Sequence, residues 1–129
     1  THLFQILGFM AMEAPTALEP GPISEEKNKV FRSMEPLDPR EVVRGQYVGY
    51  RAEEGVDPES DTETFIALKC GIDNWRWAGV PFYLRTGKRL NIRSSEIAIR
   101  FKQAPYALFR DTPVDELDAD WLILRIQPD

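Results

Sequence analysis

The sequence predicts an α+β fold in which N-terminal helices pack on a largely antiparallel sheet. Apolar residues follow a helical period up to about residue 34 and then change to the period of two that is typical of strands. The segments between the predicted strands are too short for the crossover helices that parallel strands need. With 129 residues, of which 43% are hydrophobic and 11% aromatic, the chain suits one packed domain.

Two helices are predicted at the start of the chain. In the first, over His2–Glu13, apolar residues cover nearly every direction around the axis, so this helix needs neighbours on most sides. A linker of about ten residues, which contains three prolines, follows it. Ser24 is placed to cap a second helix that runs to about Met34 with a single apolar stripe.

The rest of the chain predicts short strands joined by turns and loops. The predicted strands are Val42–Tyr50, Thr64–Ile72, Pro81–Arg85, Ile97–Phe101 and Trp121–Ile126. An acidic loop separates the first two, and a second acidic connection, from residue 103 to residue 120, precedes the last. The fourth strand alternates apolar and charged residues most clearly, and the fifth is almost continuously apolar, as in a buried strand.

Composition excludes several classes of function. A net charge of −5 argues against a dedicated binder of nucleic acid or of an anionic membrane. Cys70 is the only cysteine and lies in an apolar strand, so it is interpreted as a core residue in a protein of the reducing cytoplasm. The longest apolar window, about ten residues near the start, is half of what a membrane-spanning helix needs, and no spacing of metal ligands is present.

A basic turn is the first candidate site. Arg85, Lys88, Arg89 and Arg93 place four positive charges within nine residues, around Gly87 at the end of a predicted strand. A glycine permits a sharp turn, and an ammonium beside a guanidinium suits a compact dianion such as a phosphate monoester. The alternative is a solvated turn that pairs with the acidic loops.

His2 is the second candidate, because it is the only imidazole in the chain and therefore the only such group for acid or base chemistry near neutral pH. A histidine at this position is otherwise an inert surface residue. Trp75 and Trp77 flank Arg76 and are interpreted as packing residues rather than as a platform for a base.

Several motifs together resemble one enzyme family. Residues 76–88 read Arg-Trp-Ala-Gly-Val-Pro-Phe-Tyr-Leu-Arg-Thr-Gly-Lys. Residues 2–5 read His-Leu-Phe-Gln, residues 44–47 Arg-Gly-Gln-Tyr and residues 125–128 Arg-Ile-Gln-Pro. These segments closely resemble glucose-6-phosphate dehydrogenase, and the resemblance runs from end to end of the chain. It covers only part of the family's C-terminal substrate-binding and dimerisation domain, so residues 1–129 are expected to be a partial C-terminal domain without the N-terminal dinucleotide-binding domain.

The resemblance implies an activity and roles for four residues. Family enzymes oxidise the C1 hydroxyl of glucose 6-phosphate to 6-phosphogluconolactone with NADP, in the oxidative pentose phosphate pathway. His2 matches the catalytic base, Lys88 and Arg93 match substrate-binding residues, and Gln127 matches a glutamine that contacts the substrate. The family's dimers or tetramers further imply a homo-oligomer in the cytoplasm.

Two further features follow from the same resemblance. Arg85 and Arg125 are similar to residues that contact a second, structural NADP in mammalian enzymes, but Ser94 and Ala98 stand where that site has basic residues. The nucleotide-binding domain and the carboxylate that partners the histidine are expected outside these 129 residues. The isolated segment is therefore expected to be inactive, because one base and three ligands cannot assemble the site.

Two other functions remain open from the residues. One is a non-catalytic module that binds phosphorylated sugars through the basic turn. The other is a dimerisation piece whose sheet face, formed by Ile97, Ile99 and Trp121, makes subunit contacts.

Overall fold

The computed structural model describes residues 2–103, 105 and 118–127. The chain divides into two compact units, Thr1–Arg89 and Leu90–Asp129, where the sequence predicts one domain. The division arises because the strands form two separate sheets, of three and two strands, within the described ranges. No helix among these residues is long and apolar enough to cross a membrane.

The first unit begins with two helices, α1 (His2–Ala11) and α2 (Pro20–Arg32). The predicted linker is too long, because α2 starts at Pro20 with Glu19 as its N-cap instead of Ser24. The reason is that the first turn of a helix leaves its amide hydrogens without partners, so prolines there remove nothing that the helix uses.

A three-stranded antiparallel sheet follows the helices, which confirms the predicted fold class. Its strands are β1 (Val42–Gly45), β2 (Phe65–Cys70) and β3 (Phe82–Gly87), in the order β1-β2-β3. Two short 3-10 helices, Pro39–Glu41 and Tyr50–Ala52, lie before and after β1. The register of β2 and β3 runs from Cys70 opposite Phe82 to Phe65 opposite Gly87.

The first strand is shorter than the sequence predicts. β1 ends at Gly45, and Gly49 has a φ of 91°, which a strand does not allow. The side chain of Gln46 instead donates hydrogen bonds to the carbonyl oxygens of Ser60 and Thr62, at 2.8 and 2.9 Å. Side-chain bonds to the acidic loop thus replace the backbone pairing that a longer strand would make.

The core of the first unit lies between the helices and one face of the sheet. Its buried members are Leu7, Ala11, Val30, Leu68, Cys70 and Ile72. Cys70 is therefore a core residue, as predicted, and its burial raises the pKa of its thiol, with the charge of Glu35 adding to the effect. An isolated bridge between Met34 and Ile72 joins the segment after α2 to the same core.

The second unit is an antiparallel pair of strands, β4 (Ser95–Arg100) and β5 (Trp121–Gln127). β4 alternates between half-buried and exposed residues, which confirms the predicted pattern. β5 is exposed along its whole length, although its composition predicts a buried strand. Most of the predicted connection from residue 103 to residue 120 lies outside the described residues.

The register of β4 and β5 corrects the predicted apolar face. Ile97 lies opposite Leu124 and Ile99 opposite Leu122, so these four residues share one face. Trp121 lies opposite Arg100 and therefore belongs to the other face, where the guanidinium carbon is 6.0 Å from the indole centroid. The prediction placed Trp121 with the two isoleucines because it lacked the pairing register.

Candidate functional site

His2 is the first residue of α1 and is exposed. The helix that carries it is held at its other end, where the indole nitrogen of Trp77 donates a hydrogen bond to the carbonyl oxygen of Ala11 at 2.9 Å. The Trp77 ring in turn meets the edge of Phe82, at the start of β3, with centroids 5.2 Å apart. The position of His2 is thus set by a rigid helix that packs on the sheet.

A second contact holds the segment that follows α1. The guanidinium of Arg76 donates two hydrogen bonds to the carboxylate of Glu13, at 2.6 and 2.7 Å. This pairing holds the pKa of Glu13 below its usual range. Arg76 therefore binds a carboxylate rather than stacking between its neighbouring tryptophans, and Trp77 packs against the core as predicted, whereas Trp75 is fully exposed.

Lys88 comes directly after β3, where the register of the sheet ends at Gly87 opposite Phe65. Its backbone amide donates to the carbonyl oxygen of Thr64 at 2.8 Å, so the backbone at this point is tied to the chain before β2. Its side chain is exposed and makes no hydrogen bond or ion pair with the residues that the structure describes. The ammonium is therefore available to an external anion.

The other arginines of the basic turn differ from Lys88. Arg89 forms an ion pair with Glu53, 2.5 Å from Nη2 to Oε1, and its guanidinium carbon lies 4.7 Å from the centroid of the Tyr47 ring. Arg85 lies exposed on β3, opposite Ala67. Among the residues that the structure describes, the prediction of a turn that pairs with the acidic loops is thus confirmed for Arg89 and for no other cation of the turn.

The backbone of the turn also differs from the prediction. Gly87 is the last residue of β3 and remains in the sheet. The left-handed backbone conformation occurs two residues later, at Arg89, with a φ of 53°. The prediction chose the glycine because glycine adopts this conformation most readily, but here the arginine takes it while its side chain is held by partners.

Arg93 and Gln127 lie in the second unit. Gln127 is opposite Ser95, the first residue of β4, so it lies at the end of the β4–β5 sheet where β4 begins. Arg93 precedes Ser95 by two residues and therefore lies next to the same end. A bulge between Ser95 and Glu96 shifts the register at this end. The structure thus brings the predicted guanidinium and amide to the same end of one sheet.

Three residues with a structural role in the basic turn, Tyr47, Glu53 and Thr64, were not predicted from the sequence. Thr64 is only 7% exposed, and its hydroxyl accepts a hydrogen bond from the backbone amide of Tyr47 at 2.9 Å. Partial burial raises the pKa of Tyr47, and the charge of Glu53 adds to this shift. Their only signal in the sequence is the excess of acidic residues before β2, which does not identify Glu53 as the partner of Arg89.

No group of three or more histidine, cysteine or carboxylate side chains that could hold a metal ion occurs within residues 2–103, 105 and 118–127. Lys88 and, separately, Arg93 with Gln127 are the predicted ligands whose side chains suit a phosphate and sugar oxygens. No glycine-rich phosphate loop follows a strand in this sequence, so the chain lacks the usual motif that holds a dinucleotide.

A family model described as "Glucose-6-phosphate dehydrogenase, C-terminal domain" matches residues 1–129. The chain belongs to the glucose-6-phosphate dehydrogenase C-terminal domain family. Proteins with similar sequences are named glucose-6-phosphate 1-dehydrogenase. The chain is 46% identical to glucose-6-phosphate 1-dehydrogenase of Chlamydia muridarum over 140 residues, which cover 99% of this chain and 28% of that protein. It is 47% identical to the enzyme of Rhizobium meliloti over 141 residues, which cover 98% of the chain and 28% of that protein.

Solved structures of glucose-6-phosphate dehydrogenases have the same fold. The chain matches the Mycobacterium avium enzyme with a TM-score of 0.87 and 41% identity, covering 100% of this chain and 28% of that one. It also matches a glucose-6-phosphate dehydrogenase in complex with its substrate glucose-6-phosphate, with a TM-score of 0.83 and 35% identity. This match covers 99% of this chain and 27% of that one. The chain thus spans a little over a quarter of the length of these glucose-6-phosphate dehydrogenases.

Proposed function

We propose that the full-length protein is a cytoplasmic glucose-6-phosphate dehydrogenase, to which this chain contributes part of the substrate-binding and dimerisation domain. The observation that carries the proposal is identity of 46% to a named enzyme over 99% of the chain. The similarity to a structure bound to glucose 6-phosphate supports the substrate. The reaction oxidises the C1 hydroxyl to a lactone, and NADP, held mainly by a dinucleotide-binding domain outside these residues, supplies the hydride acceptor when bound.

His2 is the proposed catalytic base. A neutral imidazole takes the proton from the C1 hydroxyl while the hydrogen on C1 leaves as hydride, so that the C1–O bond becomes a carbonyl. The imidazolium that forms needs a carboxylate to stabilise it, and we place this group outside the 129 residues. The exposure of His2 at the start of α1 suits this role, because the side chain can be reached by substrate.

Lys88 is the proposed phosphate ligand of the first unit. α1 contacts β3, and Trp77 holds the Ala11 end of the helix near Phe82, at the start of β3. Lys88 follows the last residue of β3, and its exposed ammonium can be reached by the phosphate of a substrate.

Arg93 and Gln127 are proposed as the remaining substrate ligands. A guanidinium binds phosphate oxygens through paired hydrogen bonds, and an amide can both donate to and accept from sugar hydroxyls. Their position at one end of the β4–β5 sheet supports a shared role.

An assay of the full-length protein tests the proposed activity. We expect reduction of NADP, followed at 340 nm, with glucose 6-phosphate and much slower reduction with unphosphorylated glucose, with NAD measured in parallel to define the cofactor preference. Residues 1–129 alone should show no activity. Binding of glucose 6-phosphate by the full-length protein without any turnover would contradict the proposal and favour a non-catalytic sugar-phosphate-binding module.

We further propose that the full-length protein is a homo-oligomer, a dimer or tetramer, in which the β4–β5 sheet is covered. Its support is the exposure of five large apolar side chains on β5. These are Trp121, Leu122, Ile123, Leu124 and Ile126, with exposed fractions between 41% and 60%.

Substitution on β5 tests this oligomer. We expect Ile123→Lys to reduce the mass measured by sedimentation equilibrium to that of one chain at low protein concentration, because a charge is costly to bury in a subunit interface. Glu54→Lys, which introduces the same side chain at an exposed position of the first unit, is the matched control and should keep the oligomer. An unchanged mass for Ile123→Lys would show that this face is covered within one chain.

A further inference from the structure

The lysine proposed to bind phosphate is followed by a residue with an unfavourable backbone conformation. Arg89 has a φ of 53°, in the left-handed region where a side chain on Cβ crowds the backbone. A non-glycine residue stays in this region when contacts of its own side chain or of its neighbours hold it there. The side chains of Tyr47 and Glu53 provide such contacts to Arg89.

The three side chains form a closed set, which we call the Arg89 clamp and define as Tyr47, Glu53 and Arg89. The carboxylate of Glu53 lies 2.5 Å from the Arg89 guanidinium, whose carbon is 4.7 Å from the centroid of the Tyr47 ring. The hydroxyl of Tyr47 lies 3.4 Å from the same carboxylate oxygen of Glu53. Each member of the clamp therefore contacts both others.

The clamp and Lys88 are attached to the same buried residue. The backbone amide of Tyr47 donates to the hydroxyl of Thr64 at 2.9 Å, and the backbone amide of Lys88 donates to the carbonyl oxygen of Thr64 at 2.8 Å. Thr64 is 7% exposed and its own amide donates to the carbonyl oxygen of Gly45 at 2.9 Å. Movement of the clamp is thus coupled to the backbone of Lys88 through one fixed point.

The clamp also decides which cation of the turn is neutralised. Glu53 is the carboxylate that Arg89 binds, so the positive charge of Arg89 is balanced while that of Lys88 has no acidic partner among the described residues. We propose that the Arg89 clamp is a positioning device that fixes the backbone at Lys88 and thereby directs the Lys88 ammonium at the phosphate of the substrate.

This inference rests on the proposed function and is tested in the full-length enzyme. We expect Glu53→Gln to raise KM for glucose 6-phosphate roughly two- to fivefold, the size of an exposed charge pair, with kcat and KM for NADP unchanged. The ratio of kcat/KM for glucose 6-phosphate to that for unphosphorylated glucose should fall by the same factor. Glu26→Gln, which breaks an ion pair with Lys29 on α2, is the matched control and should change neither constant.

A second pair of variants separates positioning from direct contact. Arg89→Ala should reproduce the effect of Glu53→Gln, and the double variant should add nothing to either single change, because both remove one interaction. If Arg89→Ala raises KM but Glu53→Gln does not, Arg89 contacts the phosphate itself and the clamp is wrong. An equal loss for phosphorylated and unphosphorylated substrate would equally overturn it, since it would show a general structural effect.

Failure of the clamp is distinguishable from failure of the proposed function. If Lys88→Ala weakens binding of glucose 6-phosphate and the clamp variants do not, the phosphate ligand stands and only the positioning role is lost. If Lys88→Ala has no effect on this substrate, the phosphate ligand itself is wrong.

Discussion

Replacement of His2 by asparagine is expected to lower kcat by roughly 10²- to 10⁴-fold in the full-length enzyme, which is the usual contribution of a general base. The reason is that asparagine can hold a hydrogen bond to the C1 hydroxyl but cannot take its proton. KM for glucose 6-phosphate should change much less, because the loss falls on the transition state. Steady-state rates of NADPH formation across a range of substrate concentrations measure both constants.

Chemical rescue and a control variant make this test specific. Added imidazole should restore part of the activity that His2→Asn loses, because it can take the proton that asparagine cannot. Gln5→Asn changes the next polar residue on α1, which accepts a hydrogen bond from Lys27 at 2.8 Å, and should leave kcat within about twofold. A kcat for His2→Asn equal to that of the unaltered enzyme would mean that another group is the base.

Lys88→Ala is expected to lower kcat/KM for glucose 6-phosphate by roughly 10- to 150-fold, the effect of losing a hydrogen bond to a charged group worth about 1.5–3 kcal/mol. The value of kcat/KM for unphosphorylated glucose should be nearly unchanged, because that substrate has no phosphate for the Lys88 ammonium to bind. Lys88→Arg should retain much of the binding, since a guanidinium also binds phosphate, although its reach and geometry differ.

The matched control for this change is Lys29→Ala, an exposed lysine on α2 whose partner is Glu26. It removes a lysine side chain far from the turn in sequence and should change kcat/KM for neither glucose 6-phosphate nor unphosphorylated glucose. If Lys88→Ala lowered kcat/KM equally for both substrates, the variant would have disturbed the end of β3 instead of removing a phosphate ligand.

Much of the fold could be predicted because its signals are local. The alternation in β4 and the helical period in α1 both appear in the structure near their predicted bounds. The start of α2 and the end of β1 could not be predicted in this way. In the first case proline is compatible with the first turn of a helix, and in the second the side chain of Gln46 bonds to a loop that lies 14 residues away.

The candidate site shows the same division. The motif around Gly87 and the single imidazole directed attention to Lys88 and His2 from the residues alone. The sequence could not say which of the clustered cations is neutralised, because Glu53 and Arg89, which form the ion pair, are 36 positions apart in the chain. Nor could it place Trp121 on the opposite face from Ile97, since the face depends on register.

Residue types and their spacing were therefore enough to predict the family and the α+β class, which are confirmed, and to name the candidate site residues, which stay predictions. These properties follow from short stretches of chain, in which each residue's neighbours are known. Only the tertiary structure decided that Arg89 pairs with Glu53, that Lys88 has no acidic partner among the residues that the structure describes, and that the apolar residues of β5 are exposed. Those outcomes depend on contacts between distant segments, whose geometry is set by packing and pairing register rather than by any local pattern.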